Sequence, residues 1–156
     1  MEKKKLLRVS LLILLVAFIL AQFFGNRPGV KKENPNDLMA TSPVPGDVAS
    51  LLRHACYDCH SNETVYPWYA RVAPVSWLIN HDVEEGREEL NFSEWNSLKP
   101  AKKLKKLDKI KEEVVEEGDM PMAIYVVLHK KARLSDADRQ KIGAWVDAYS
   151  EKLSGN

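Results

Sequence analysis

The residues with the most chemistry in this chain stand together. Positions 55–60 read Ala-Cys-Tyr-Asp-Cys-His, and Cys56 and Cys59 are the two cysteines of all 156 residues. Cys-x-x-Cys-His admits three chemistries. A redox dithiol of the thioredoxin type belongs between a strand and a helix in an α/β fold. Structural zinc asks for four ligands. Cys56, Cys59 and His60 supply three, with His54, His81 or His129 as a fourth, and three ligands in one turn suit a tetrahedron poorly. Covalent haem fits better. Two thiols one helical turn apart can each add to a vinyl group, and the adjacent histidine can take an axial position on the iron.

A six-coordinate iron needs a second axial ligand. Met120, in Glu117-Gly118-Asp119-Met120-Pro121-Met122, offers a soft thioether, and a Met/His pair raises haem potential. Pro121 stiffens this loop and removes a donor beside the metal. Met122 competes with Met120, and so do His54, His81 and His129; a methionine here can also be simple core filler.

These residues need elements to hold them. Val48, Leu51, Leu52, Ala55, Cys56 and Cys59 fall on one helical face. Val75, Leu78, Ile79 and Val83 form an apolar stripe after Pro74, a residue suited to a first helical turn. Ser93 is a candidate N-cap. Leu104, Leu107, Ile110 and Val114 repeat at helical spacing from Pro100 to a stop at Gly118. The lysines between Lys99 and Lys111 read as a solvated face of that helix. In the last helix Ser135 is the cap, Leu134 the staple, and Ile142, Trp145, Val146 and Tyr149 the buried face. No strand alternation is visible, so the fold class is all-α, a small helical domain.

Two segments precede that domain. Residues 1–24 carry Lys3, Lys4, Lys5 and Arg8 ahead of a long apolar run. They read as an uncleaved transmembrane signal-anchor helix, with a cleaved signal peptide as the alternative. The lysines place the N-terminus in the cytoplasm and the domain on the periplasmic side of the cytoplasmic membrane. Residues 25–46 contain four prolines and read as a flexible tether, leaving 47–156 as the haem domain. The net charge is +1 and the lysine run has no interleaved aromatics, which argues against nucleic acid as a partner.

At this level the sequence resembles the bacterial haem-binding domain family. The residues that carry the likeness are Cys56-Tyr57-Asp58-Cys59-His60-Ser61, Pro67-Trp68-Tyr69, Ala73-Pro74-Val75-Ser76-Trp77 and Asn91-Phe92-Ser93-Glu94-Trp95, with Met120-Pro121 and the last helix further on. The likeness runs from about Val48 to Tyr149; Met122 departs from the proline often found after Met-Pro. It implies haem c held by Cys56 and Cys59, with iron bound by His60 and Met120. The loop around residues 64–74 is expected to wall the haem edge and to offer a carbonyl to His60 Nδ1. Trp68 and Tyr69 would pack on the porphyrin, and Arg71 would pair with a propionate; Trp68, Trp77 and Trp95 could equally be core packing, and Arg71 a surface residue. The expected function is single-electron transfer with membrane or periplasmic redox proteins. The rival is a haem enzyme or sensor for peroxide or a diatomic gas, using His81, His129, Tyr125 or Arg71 at an open sixth position.

Overall fold

A computed structural model describes residues 2–155, and its described residues contain helices and no strand. The eight α-helices are α1 (Glu2–Ala21), α2 (Leu38–Thr41), α3 (Gly46–Ala55), α4 (Tyr57–His60), α5 (Val75–Glu89), α6 (Pro100–Lys111), α7 (Ala123–Leu128) and α8 (Asp136–Ser154). Single 3-10 turns at Trp68–Arg71, Phe92–Ser97 and Lys130–Ala132 link them, and a π turn at Glu112–Glu116 extends α6. The all-α expectation is met.

The core lies where α3, α6 and α8 meet the Phe92–Ser97 turn. Leu52, Trp95, Leu107 and Ile142 are fully buried there. Tyr57 stacks on Phe92 with ring centroids 5.1 Å apart. Trp95 Nε1–H donates to Tyr149 Oη at 3.0 Å, so this fully buried side chain has its polar atom satisfied. The last helix forms as its sequence dictates. Ser135 and Asp138 make a reciprocal capping box, and Ile142, Trp145, Val146 and Tyr149 are all buried.

Four expectations change. The helix through the cysteines is not continuous: it ends at Cys56, whose φ/ψ of −125°/−39° breaks the turn, and restarts as α4. Asn91 caps the Phe92–Ser97 turn, while Ser93 is buried and accepts the Asn62 N–H at 3.0 Å.

The stretch 25–46 is not a free tether. Leu38 is fully buried in the core, and Asp37 accepts from Met39 N–H at 2.8 Å and from Tyr57 Oη–H at 3.0 Å. Lys31 N–H donates to Asn62 O at 2.7 Å, and Arg87 reaches Gly29 O at 2.8 Å. The transmembrane expectation for the N-terminus also fails: among the described residues no helix is long and apolar enough to cross a membrane. α1 forms, but Lys3, Lys4, Lys5 and Arg8 occupy its first turns and it ends at Ala21. Its uncharged part spans about 20 Å, short of the ~30 Å hydrocarbon core.

Candidate haem site

The cysteine motif opens onto a cavity of about 480 Å³ between α4, α5, α6 and the Met120 loop. Cys56, Cys59, His60, Met120 and Met122 all line it, with Leu90, Phe92, Ile110 and Val114 among its apolar walls. That volume lies within the ~300–1000 Å³ range of cofactor pockets.

His60 is held by α5. Its Nδ1 lies 2.7 Å from Gly86 O and 3.1 Å from Leu90 O. Both partners are carbonyls, so Nδ1 carries the proton and donates, and Nε2 keeps its lone pair for another bond. Burial pushes the imidazole pKa down, which also keeps the ring neutral at pH 7. The expected carbonyl donor, the 64–74 loop, is thus replaced by the end of α5. Sequence reasoning also missed Gly86. A Cβ there would stand 2.9 Å from Cys59 O and 3.1 Å from Cys59 Cβ. Only glycine lets α5 approach the motif closely enough for the Gly86 carbonyl to reach His60. A glycine inside a charged helical run, Glu84-Glu85-Gly86-Arg87, was the available signal.

Met120 is fixed through its backbone. Its N–H donates to Glu113 O at 3.1 Å, a carbonyl in the π turn. Arg139 on α8 donates to Met120 O at 2.8 Å and also to Val114 O. A π turn frees carbonyls from the helical ladder, and here they anchor a loop. Met122 is the N-cap residue of α7 and lines the same cavity, so both methionines remain candidates by position. The other histidines lie outside the cavity. His54 and His81 are exposed, and His129 packs against Tyr69 and Tyr125.

Trp68 and Arg71 are not brought to this cavity. Both lie on the 3-10 turn Trp68–Arg71, where Trp68 is 78% exposed and Arg71 is exposed. The cations that border the cavity are Lys106 and Lys109 from the lysine-rich helix, beside Asp82, Glu85, Glu89 and Glu113. Lys109 is 2.9 Å from both Glu112 and Glu113, and Lys106 is 3.9 Å from Glu89. The face read as merely solvated therefore turns two of its lysines to the site.

The thiols are not poised for redox work. Burial raises Cys56 to about 12 and Cys59 to about 11, so neither supplies thiolate near neutral pH. A helical domain, a largely apolar cavity with a charged rim, a tautomer-fixed histidine and two methionines together define a haem-binding class of protein. The family comparison agrees: the model of the haem-binding domain family matches residues 16–148, and this chain belongs to that family. No curated protein matches the chain, and no solved structure does.

The residues present fit a haem. The donor set is a neutral imidazole and a thioether, and Leu90, Phe92, Ile110 and Val114 give the cavity apolar walls.

Proposed function

We propose that this protein is a monohaem c-type cytochrome that carries single electrons outside the cytoplasmic membrane. One observation carries the reading: Cys56, Cys59 and His60 converge on one apolar cavity, with His60 oriented by Gly86 O and Leu90 O. Each thiol would add S–H across a vinyl group, giving one C–S bond per cysteine. Met120 would supply the second axial ligand, favoured over Met122 because its N–H and C=O are both tied to the protein. Lys106 and Lys109 would take over the propionate role first given to Arg71. Bound haem supplies an Fe(III)/Fe(II) couple. The chain's part would be to hold the His60 imidazole and the Met120 loop still.

Of the groups named for a peroxide or gas reaction, Tyr125 alone lines the cavity, and its hydroxyl donates to Asp58 at 2.7 Å. That favours the carrier over the enzyme or sensor. Lys3, Lys4, Lys5 and Arg8 ahead of an uncharged run suit an export signal, which would bring the domain to where haem c is attached. Partners would be membrane or periplasmic redox proteins.

The test is a reduced-minus-oxidised spectrum of protein made with haem-attachment machinery, then exposure to carbon monoxide. A low-spin c-type spectrum indifferent to carbon monoxide is expected. A spectrum that shifts with the gas sinks the carrier reading, and haem lost on denaturing electrophoresis sinks covalent attachment.

A further inference from the structure

The apolar stripe of α5 is only partly covered. Val83 is buried, but Val75 and Leu78 are 43% and 47% exposed. They border a shallow depression of about 110 Å³ together with Val65, Ile124 and Leu128, which are 75%, 61% and 63% exposed. Trp68 extends this surface through its edge-on contact with Tyr69, which lines the same depression. Soluble proteins rarely leave so many large apolar side chains open on one contiguous face without a use for it.

Two features say what covers it. The first is continuity with α1. Ala73 N–H donates to Gln22 Oε1 at 2.9 Å, and Trp77 Nε1–H donates to Phe24 O at 2.7 Å. The apolar N-terminal helix therefore leaves the domain beside Val75 and Leu78, with Phe23 and Phe24 exposed at the junction. The second is charge. Arg71, Lys130 and Lys131 are exposed on the two turns that flank the apolar residues. Basic residues around an apolar patch with tryptophan suit anionic phospholipid, with the aromatic ring at headgroup level. Two carboxylates, Asp58 and Asp82, lie at the depression against these three cations; Asp58 accepts from Tyr125 Oη–H and from Val65 N–H.

We propose that the face formed by Val65, Trp68, Val75, Leu78, Ile124 and Leu128 rests on a lipid bilayer, so that the domain lies down beside α1 on the membrane. This goes beyond the electron-carrier reading and does not depend on it. The face orients the domain: the depression shares Cys59, Asp82, Met122 and Tyr125 with the larger cavity, so the motif side of that cavity is turned towards the lipid.

The experiment uses the full haem-loaded chain with Leu128→Cys or Leu78→Cys carrying an environment-sensitive fluorophore, and Glu151→Cys on α8 as control. The probe is vesicles of phosphatidylethanolamine and phosphatidylglycerol. Labels at 78 and 128 should shift to the blue and lose quenching by aqueous iodide on vesicle binding, while the label at 151 should not. The Leu128 label should lose its shift in a chain also carrying Ile124→Glu and Leu78→Glu. Labels at 78 and 128 that stay water-exposed on vesicle-bound protein overturn the proposal. A shift that appears only when a second protein is added overturns it too, in favour of a protein docking face. The number of thiols that react in denaturant reports haem attachment separately, because one thiol reacts if Cys56 and Cys59 are joined to haem and three if they are not.

Discussion

His60 is oriented by two carbonyls that lie 26 and 30 residues away in sequence, and this is why the site was only partly legible. Cys56, Cys59, His60 and Met120 stand out by type and spacing. Gly86 and Arg139 do not, because their work is to place other groups. Gly86→Ala puts a methyl group 2.9 Å from Cys59 O. We expect it to destabilise the protein by about 1–3 kcal/mol in denaturant melts, as overpacking does, and to lower haem incorporation. Melts and incorporation equal to the unsubstituted chain would mean that α5 does not need its close approach. Met120→Ala should leave a high-spin iron that binds carbon monoxide and has a lower potential, whereas Met122→Ala should keep the low-spin spectrum. The reverse pattern would move the ligand to Met122. Trp68 and Arg71 were read by type from the loop after His60, and residue type does not give the direction in which a short turn presents them.

At the scale of elements, α8 was readable throughout, since its caps and apolar period both lie within the helix. Asp138 sharpens its start. Its bonds from Ser135 hold its carboxyl below the usual 3.8. A carboxyl depressed in the folded state contributes stability that is present above pH 3.8 and is lost as pH falls through the folded value. Asp138→Asn should therefore remove part of the acid-side fall in stability, measured as melting temperature between pH 5 and 2; an unchanged acid limb would show that the cap has no such role. The stripe of α5 was legible as a stripe, but periodicity cannot say whether protein or something else covers it. The segment before α3 was misread more deeply. Its prolines signal a linker, yet a single leucine at its centre is a core residue. Leu38→Ala should cost about 2–5 kcal/mol in chemical denaturation, the value for a buried leucine. A cost near zero would restore the tether.

For the whole molecule, the all-α class and the haem family were both within reach of the sequence, and the charge arrangement around the cavity was not. Net charge says nothing of where Lys106 and Lys109 sit, since they come from a helix 40 or more residues beyond the motif. Replacing both with Gln removes positive charge beside the iron. This should favour Fe(III) and lower the midpoint potential, on the order of tens of millivolts at low salt. Redox titration checks it, and an unchanged or raised potential would place the lysines outside the haem's field.

The way residues 29–38 lie on the domain also bears on how the chain can be cut. A protease that severs it between Ala21 and Phe24 would release a particle that keeps Leu38 in its socket and Lys31 bonded to Asn62. A cut a dozen or more residues later, beyond Leu38, would remove that plug and open the core beneath Tyr57 and Phe92. A cut before Gly29 and a cut beyond Leu38 therefore differ in outcome across a short length of backbone, and a fragment for spectroscopy has to start before Gly29 rather than at Gly46.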